Sequence, residues 1–167
     1  MTLKALYLNC SLKKSNETSN TSALLAKSKK YLESEDVETE EIRIADFAIH
    51  FGMKPDMGDG DEWPKIYQKV LDADIVVIGS PIWIGEKSSI STLVMERLYA
   101  ASSETNDSGQ PIYYNKVGGV VVTGNEDGGK ESARSILYGL QHIGFTVPPN
   151  VDAYWVGEAG PGPSYIE

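Results

Sequence analysis

Cysteine is nearly absent from this chain, since Cys10 is its single example. One thiol cannot form an internal disulfide, a cysteine-rich zinc site or a four-cysteine iron–sulfur cluster. The segment from Met1 to Asn9 lacks the apolar core and cleavage site of a signal peptide. No apolar run approaches the roughly 18 residues that a membrane span requires. We therefore expect a protein of the reducing cytoplasm.

Positive charge is also scarce, because 15 Lys and Arg face 24 Asp and Glu for a net charge of −9. Nucleic acids and anionic membrane surfaces bind to clustered basic side chains, so neither is an expected partner. The acidity is concentrated in residues 31–62, which hold eleven acidic side chains. We interpret this segment as a solvated face, with a rim that steers charged partners as the alternative.

What the chain does have is enough apolar sequence for one core, since 41% of its 167 residues are apolar. A chain of this length predicts a single domain over residues 1–167. Continuous apolar runs at Ala5–Leu8, Ile75–Ile78 and Val117–Val122 are typical of parallel strands that are covered on both faces. Two further strands are predicted at Glu40–Ile44 and Ala153–Val156.

Helical spacing of apolar residues alternates with these strands, at Leu24–Leu32, Trp63–Leu71, Ile90–Ala101 and Ser132–Ile143. Strict alternation predicts an α/β fold with a parallel sheet and helices on both faces. The length favours the flavodoxin-like, doubly wound sheet of five strands in the order 2-1-3-4-5. Residues 157–167, which include Pro161, form a Gly/Pro-rich tail, so the last helix of that fold is expected to be absent from this chain.

The loop after the first strand is rich in hydroxyl and amide side chains, with five hydroxyls and two asparagines between Ser11 and Thr21. A helix is predicted to follow it directly. The N-terminus of a helix offers free N–H groups and partial positive charge, and hydroxyl donors can complete a phosphate cradle. The alternative is an ordinary helix cap, which Ser19, Asn20 or Thr21 could supply alone.

The loop after the third predicted strand, Gly79 to Gly85, carries three large apolar residues where a surface loop is usually polar. Ile82, Trp83 and Ile84 are interpreted as a wall for a flat aromatic ring. The alternative is a loop that packs under its own helix.

The loop after the fourth predicted strand, residues 123–130, contains the pattern G-x-x-x-x-G-K. A Walker A loop needs Ser or Thr next to ligate magnesium, but Glu131 stands there, and Glu126 would bring a carboxylate into the phosphate nest. We interpret it instead as a glycine-rich turn in which the backbone N–H groups of Gly124 and Asn125 approach a heterocycle with carbonyl and imide groups.

Phosphate donors, an apolar wall and a polar backbone edge together fit flavin mononucleotide (FMN). Ser11 with Asn20-Thr21, the stretch Ser80-Pro81-Ile82-Trp83-Ile84-Gly85, and residues 122–128 resemble motifs of the NADPH-dependent FMN reductase-like branch of the flavodoxin-like superfamily. The resemblance implies non-covalent FMN, with its phosphate at the first loop, its isoalloxazine along the second and its pyrimidine edge at the third. The cofactor-binding residues that it implies are Ser11, Leu12, Lys13, Ser19, Asn20, Thr21, Pro81, Ile82, Trp83, Ile84, Gly85, Thr123, Gly124, Asn125, Asp127 and Gly128.

The resemblance further implies an NAD(P)H-dependent flavin oxidoreductase that passes hydride through FMN to a quinone-like or other small acceptor. It implies a homodimer or homotetramer, and no catalytic side chain is required. Two other hypotheses stay open: a flavodoxin-type electron carrier without nicotinamide activity, and an interaction module that has lost the cofactor.

Several conspicuous residues receive structural interpretations. Cys10 is expected to be a buried, inert thiol. Residues 51–62 resemble a calcium loop in composition only, so no metal is expected, and we interpret them as a mobile surface loop that could act as a lid. Tyr154 and Trp155 are expected to be core residues of the last strand.

Overall fold

The computed structural model describes residues 2–125, 127–160 and 162–167. Glu126 of the third loop and Pro161 of the tail therefore lie outside the described residues. The strands are β1 (Lys4–Asn9), β2 (Glu38–Arg43), β3 (Ile75–Trp83), β4 (Glu86–Lys87), β5 (Val117–Gly124) and β6 (Asp152–Val156). The helices are α1 (Asn20–Ser34), α2 (Trp63–Asp72), α3 (Ser89–Tyr99) and α4 (Gly129–His142).

Five of the strands pair in parallel in the order β2-β1-β3-β5-β6. The two-residue strand β4 pairs antiparallel with the end of β3 and lies off this path. Without β4 the order is 2-1-3-4-5, so the flavodoxin-like prediction is confirmed. The described residues after β6 contain bends and a turn but no helix. No helix within residues 2–125, 127–160 and 162–167 is long and apolar enough to cross a membrane.

Both faces of the central strands are covered, as their continuous apolar runs predict. Leu8, Ile78 and Val122 lie in a large buried cluster that also contains Ile66 of α2 and Ile136 of α4. On the opposite face a smaller cluster, with Tyr7, Val77 and Val121, packs against Leu25 of α1. This packing holds α1, and with it the first loop, against the middle of the sheet.

The edge strand β6 does not have the buried character that the sequence predicts. Tyr154 is 43% exposed and Val156 is 40% exposed, and Trp155 is only partly buried. The expectation that Tyr154 and Trp155 belong to the core is therefore wrong. The physical reason is that β6 pairs with β5 alone and has few apolar neighbours to cover it.

Residues 50–61, the part of the acidic segment that precedes α2, are anchored to α3. The guanidinium of Arg97 is completely buried and donates hydrogen bonds to the carbonyls of His50 and Lys54 and to the carboxylate of Asp61, the last at 2.8 Å. Trp63 packs beside it, with 5.6 Å between the ring centroid and the guanidinium carbon. One buried cation therefore holds this segment at several backbone positions. Phe51 and Met53 are exposed, as expected of a surface loop, and a role as a mobile lid stays a prediction.

Asp61 is the charge partner in this buried pair. Burial acts to raise its pKa, but hydrogen bonds from Arg97 and from the N–H groups of Met57, His50 and Trp63 outweigh burial, so the pKa lies well below the usual range. A lowered pKa means that the pair stabilises the fold fully above the unfolded value of about 4, and that this contribution is lost as the pH falls through the folded value.

We expect Asp61→Asn to lower the free energy of unfolding by about 3 kcal/mol at pH 7, because Arg97 keeps its charge in a buried site without a counterion. The measurement is urea unfolding at pH 7 and at decreasing pH, where the difference from the unaltered protein should shrink below about pH 4. Asp59→Asn, at an exposed position of the same segment, is the matched control and should change stability by less than about 0.5 kcal/mol. Equal unfolding midpoints for both variants at pH 7 would contradict this role for Asp61.

Candidate functional site

A cavity of about 300 Å³ lies at the carboxyl ends of β1, β3 and β5. Twelve of the residues predicted to bind the cofactor line it: Ser11, Leu12, Lys13, Ser19, Asn20, Thr21, Pro81, Ile82, Trp83, Thr123, Gly124 and Asn125. Trp155 also lines this cavity. The sequence analysis did not place Trp155 at the site, because it assigned this residue to the core. The three loops thus converge on one space, which we call the central cavity.

The other four predicted residues lie outside the central cavity. Gly85, Asp127 and Gly128 line a neighbouring cavity of about 650 Å³. Ile84 lines neither, and its side chain is 95% exposed. The reason is that β3 continues as a strand as far as Trp83, so that the hairpin from β3 to β4 carries Ile84 and Gly85 outward.

The first loop is held in shape by buried polar contacts at the end of β1. The side-chain amide of Asn9 donates to Glu41 at 2.8 Å, and its carbonyl oxygen accepts from the N–H of Ser11 at 3.0 Å. The same Glu41 oxygen accepts from the hydroxyl of Ser22 at 2.7 Å, and Lys29 lies 3.9 Å from its other oxygen. One carboxylate of β2 therefore connects the end of β1 to the first turn of α1.

Several donors in the first loop remain available to a ligand. Ser19 caps α1 by accepting from the N–H of Ser22, whereas the N–H groups of Asn20 and Thr21 belong to the first turn and have no intrahelical acceptor. The oxygen of Ser11 accepts from the N–H of Lys13, so its hydroxyl hydrogen is available to donate. Free N–H and O–H donors at the positive end of a 15-residue helix suit a phosphate group.

A buried hydrogen bond joins the first loop to the third. The hydroxyls of Thr21 and Thr123 lie 2.9 Å apart, and both residues are almost completely buried. Either hydroxyl can be the donor, so the pair is satisfied without solvent. This contact fixes the distance between the N-terminus of α1 and the end of β5.

The second and third loops form an apolar wall of closely packed backbone and side chains. Ile82 is buried, whereas Trp83 is 54% exposed at the cavity. Gly124 packs directly against Ile82, since a Cβ at position 124 would lie 2.7 Å from the Cβ of Ile82. Gly128 lies against the backbone of Gly85, where a Cβ would be 2.4 Å from the carbonyl oxygen. Glycine is thus required at both positions for the loops to meet.

The hairpin turn at Ile84 and Gly85 is strained at its first position. Both residues have positive φ, 54° and 74°, and this region disfavours a β-branched side chain. Ile84 makes no compensating core contact, because it is 95% exposed.

Cys10 is completely buried at the base of the first loop, as expected. Burial raises the pKa of its thiol to about 12, despite a hydrogen bond with Ser91 that acts to lower it. The thiolate is therefore scarcely populated at neutral pH, which disfavours a nucleophilic role for Cys10.

Comparison with known proteins now identifies the family. Residues 3–159 match the model of the family described as NADPH-dependent FMN reductase. The chain belongs to this family. Membership confirms the resemblance found in the loop motifs, with FMN as cofactor and NAD(P)H as substrate of such enzymes.

The chain is similar to two curated proteins over nearly all of its length. It is 48% identical over 169 residues to the divalent metal cation transporter MntH of Mycobacterium bovis, covering 99% of this chain but only 25% of that protein. It is 39% identical over 176 residues to 8-demethyl-8-aminoriboflavin-5'-phosphate synthase of Streptomyces davaonensis, covering 100% of this chain and 68% of that protein. The chain thus spans between a quarter and about two thirds of these relatives.

A solved structure of RosB with the bound intermediate 8-demethyl-8-formylriboflavin-5'-phosphate is also similar. It has a TM-score of 0.88 and 38% identity, with 99% of this chain and 69% of that chain covered. In that relative the bound molecule is a flavin that carries a 5'-phosphate.

The residues of the central cavity fit FMN on chemical grounds. Hydroxyl and N–H donors at one end suit a phosphate, and Trp83 and Trp155 at the other offer apolar surface to a planar ring. Lys13 is the only titratable side chain among the described residues that line the cavity.

We expect Ile84→Asn to raise the free energy of unfolding by about 1 kcal/mol, because Asn tolerates positive φ and no buried surface is lost. Ile84→Val keeps the β-branch and the strain, and should leave stability nearly unchanged. Thermal or urea unfolding of both variants gives the comparison. Equal stabilities for the two variants would show that the turn at Ile84 stores no strain.

Proposed function

We propose that this chain is an FMN-dependent NAD(P)H oxidoreductase that passes electrons from a nicotinamide to a quinone-like or other small acceptor. The observation that supports this most strongly is the central cavity, in which a helix N-terminus with free donors faces an apolar, aromatic wall in a member of the FMN reductase family. The proposal treats residues 1–167 as one FMN-binding domain.

In this proposal the first loop binds the phosphate of FMN. The hydroxyl of Ser11, the N–H groups of Asn20 and Thr21 and the side-chain amide of Asn20 donate to the phosphate oxygens. Lys13 adds positive charge at the rim, and the cap formed by Ser19 keeps the helix end rigid. Leu12, which is 47% exposed, covers the open side of the loop.

The second and third loops bind the ring in this proposal. Pro81, Ile82 and Trp83 pack along the isoalloxazine, and Thr123, Gly124 and Asn125 lie at its pyrimidine edge. Gly85, Asp127 and Gly128, which line the neighbouring cavity, and the exposed Ile84 are proposed to meet the outer part of the bound flavin. Bound FMN supplies the chemistry, since it can accept a hydride and pass electrons on, while the chain positions it and excludes water.

We expect Asn20→Ala to weaken FMN binding by about 1 to 3 kcal/mol, the scale of a lost hydrogen bond to a charged group. Asn16→Ala is the matched control, because Asn16 is an exposed asparagine of the same loop outside the central cavity. Quenching of flavin fluorescence on titration with protein measures both affinities. Unchanged affinity in Asn20→Ala would refute the assignment of Asn20 to the phosphate.

Steady-state oxidation of NADH and NADPH by the FMN-loaded protein, with a quinone as acceptor, tests the activity. We expect oxidation to depend on FMN and on the acceptor. FMN binding without nicotinamide oxidation would favour the flavodoxin-type electron carrier, and absence of FMN binding would favour an interaction module.

A second candidate function follows from the similarity to the aminoriboflavin phosphate synthase and to RosB with a bound formyl-flavin intermediate. Here the flavin phosphate in the central cavity is the substrate, and its ring is altered rather than merely reduced and reoxidised. Mass spectrometry of the flavin recovered from the activity assay separates the two. An unchanged FMN mass supports the cofactor role, and a new flavin species supports the second candidate.

We also propose that the chain assembles as a homodimer or homotetramer in the cytoplasm. Support for self-association comes from an apolar surface formed by α3, α4 and the segment before α2, where Met53, Met95, Tyr99 and Tyr138 line a shallow cavity of about 290 Å³. Tyr138 is 64% exposed there, and exposed aromatic groups of this kind are enriched at protein interfaces.

A further inference from the structure

The tail after β6 lies beside the central cavity and contacts residues of the first and third loops. The contact begins at Asn125, whose side-chain amide donates to the carbonyl of Gly162 at 3.1 Å and to that of Pro163 at 2.8 Å. The NH₂ group of Asn125 thus holds the tail, and its side-chain oxygen and backbone groups remain for a ligand in the cavity.

The tail next contacts the N-terminus of α1. The N–H of Ile166 donates to the side-chain oxygen of Asn20 at 3.1 Å. This oxygen is the hydrogen-bond acceptor of the amide. Because the tail occupies it, the NH₂ group of Asn20 is the part of the side chain that can contact a ligand. An NH₂ group only donates hydrogen bonds, which is what an anionic phosphate requires.

A compact turn keeps Ile166 in place. Ser164 and Glu167 bond to each other through the N–H of Glu167 and the carbonyl of Ser164, and the N–H of Ser164 donates to the Glu167 carboxylate. Between them Tyr165 packs edge-on against Trp155, with ring centroids 5.5 Å apart. Since Trp155 lines the central cavity, the tail rests directly on the cavity wall.

Charged side chains lie on both sides of the tail. Lys13, Asn20 and Glu167 line a cavity of about 490 Å³ between the first loop and the tail. The Nζ of Lys27 lies 5.2 Å from the centroid of the Tyr165 ring, a cation–π contact that adds a further attachment to α1.

We propose that residues 162–167 are a positioning segment that makes the site selective for a phosphorylated flavin over the neutral, unphosphorylated flavin. The segment orients the amide of Asn20 so that it presents only donors to the phosphate. This inference rests on the proposed flavin site, but not on the nicotinamide activity or on the identity of the acceptor.

The test removes one N–H group. Ile166→Pro deletes the donor to Asn20, whereas Ile166→Ala keeps it and serves as the matched control. Affinities for FMN and for riboflavin are measured by fluorescence titration. We expect Ile166→Pro to weaken FMN binding by about fivefold and to leave riboflavin binding unchanged, with both affinities unchanged in Ile166→Ala.

A double-mutant comparison separates positioning from general damage to the turn. In an Asn20→Ala background Ile166→Pro should have no further effect on FMN affinity, because the group it positions is gone. Additive losses, or equal losses for FMN and riboflavin, would overturn the inference by showing that the tail only supports the fold. If the unaltered protein binds neither flavin, the proposed function itself fails, and the inference fails with it.

Discussion

Parallel pairing of β1, β3 and β5 brings three carboxyl ends to one edge of the sheet, and the candidate site depends on this arrangement. The loops after these strands lie far apart in sequence, yet the register of the sheet sets them side by side. The buried hydrogen bond between Thr21 and Thr123 then fixes their separation. The central cavity is what remains between rigid strand ends, which is where open α/β sheets bind ligands.

Polar contacts stabilise the base of this cavity, and its rim is apolar. Glu41 connects β1 to α1, and glycines at 124 and 128 let the second and third loops meet. The rim instead exposes Trp83 and a strained Ile84. Rigidity at the phosphate end and apolar surface at the open end fit a cofactor that is gripped by its phosphate while its ring stays accessible to other substrates.

The sequence predicts the sheet order and the converging loops because each depends on local patterns: continuous apolar runs, helical spacing and a hydroxyl-rich helix start. It does not predict contacts between residues remote in the chain. Ile166 bonds to Asn20 across 146 positions, and nothing in the composition of the tail indicates this. Trp155 is predicted to be a core residue because an apolar strand sequence does not show whether the strand lies in the centre of the sheet or at an exposed edge. The sequence does not single out Arg97 as a buried residue of α3, because an arginine is usually exposed unless it is paired.

We propose above all that the N-terminus of α1 binds the phosphate of a flavin. A crystal structure of the protein with FMN tests this. We expect the phosphate oxygens to lie about 3 Å from the N–H groups of Asn20 and Thr21, with the ring beside Trp83. A phosphate bound elsewhere, or a ring in the neighbouring cavity that Lys130 and Tyr154 line, would contradict it.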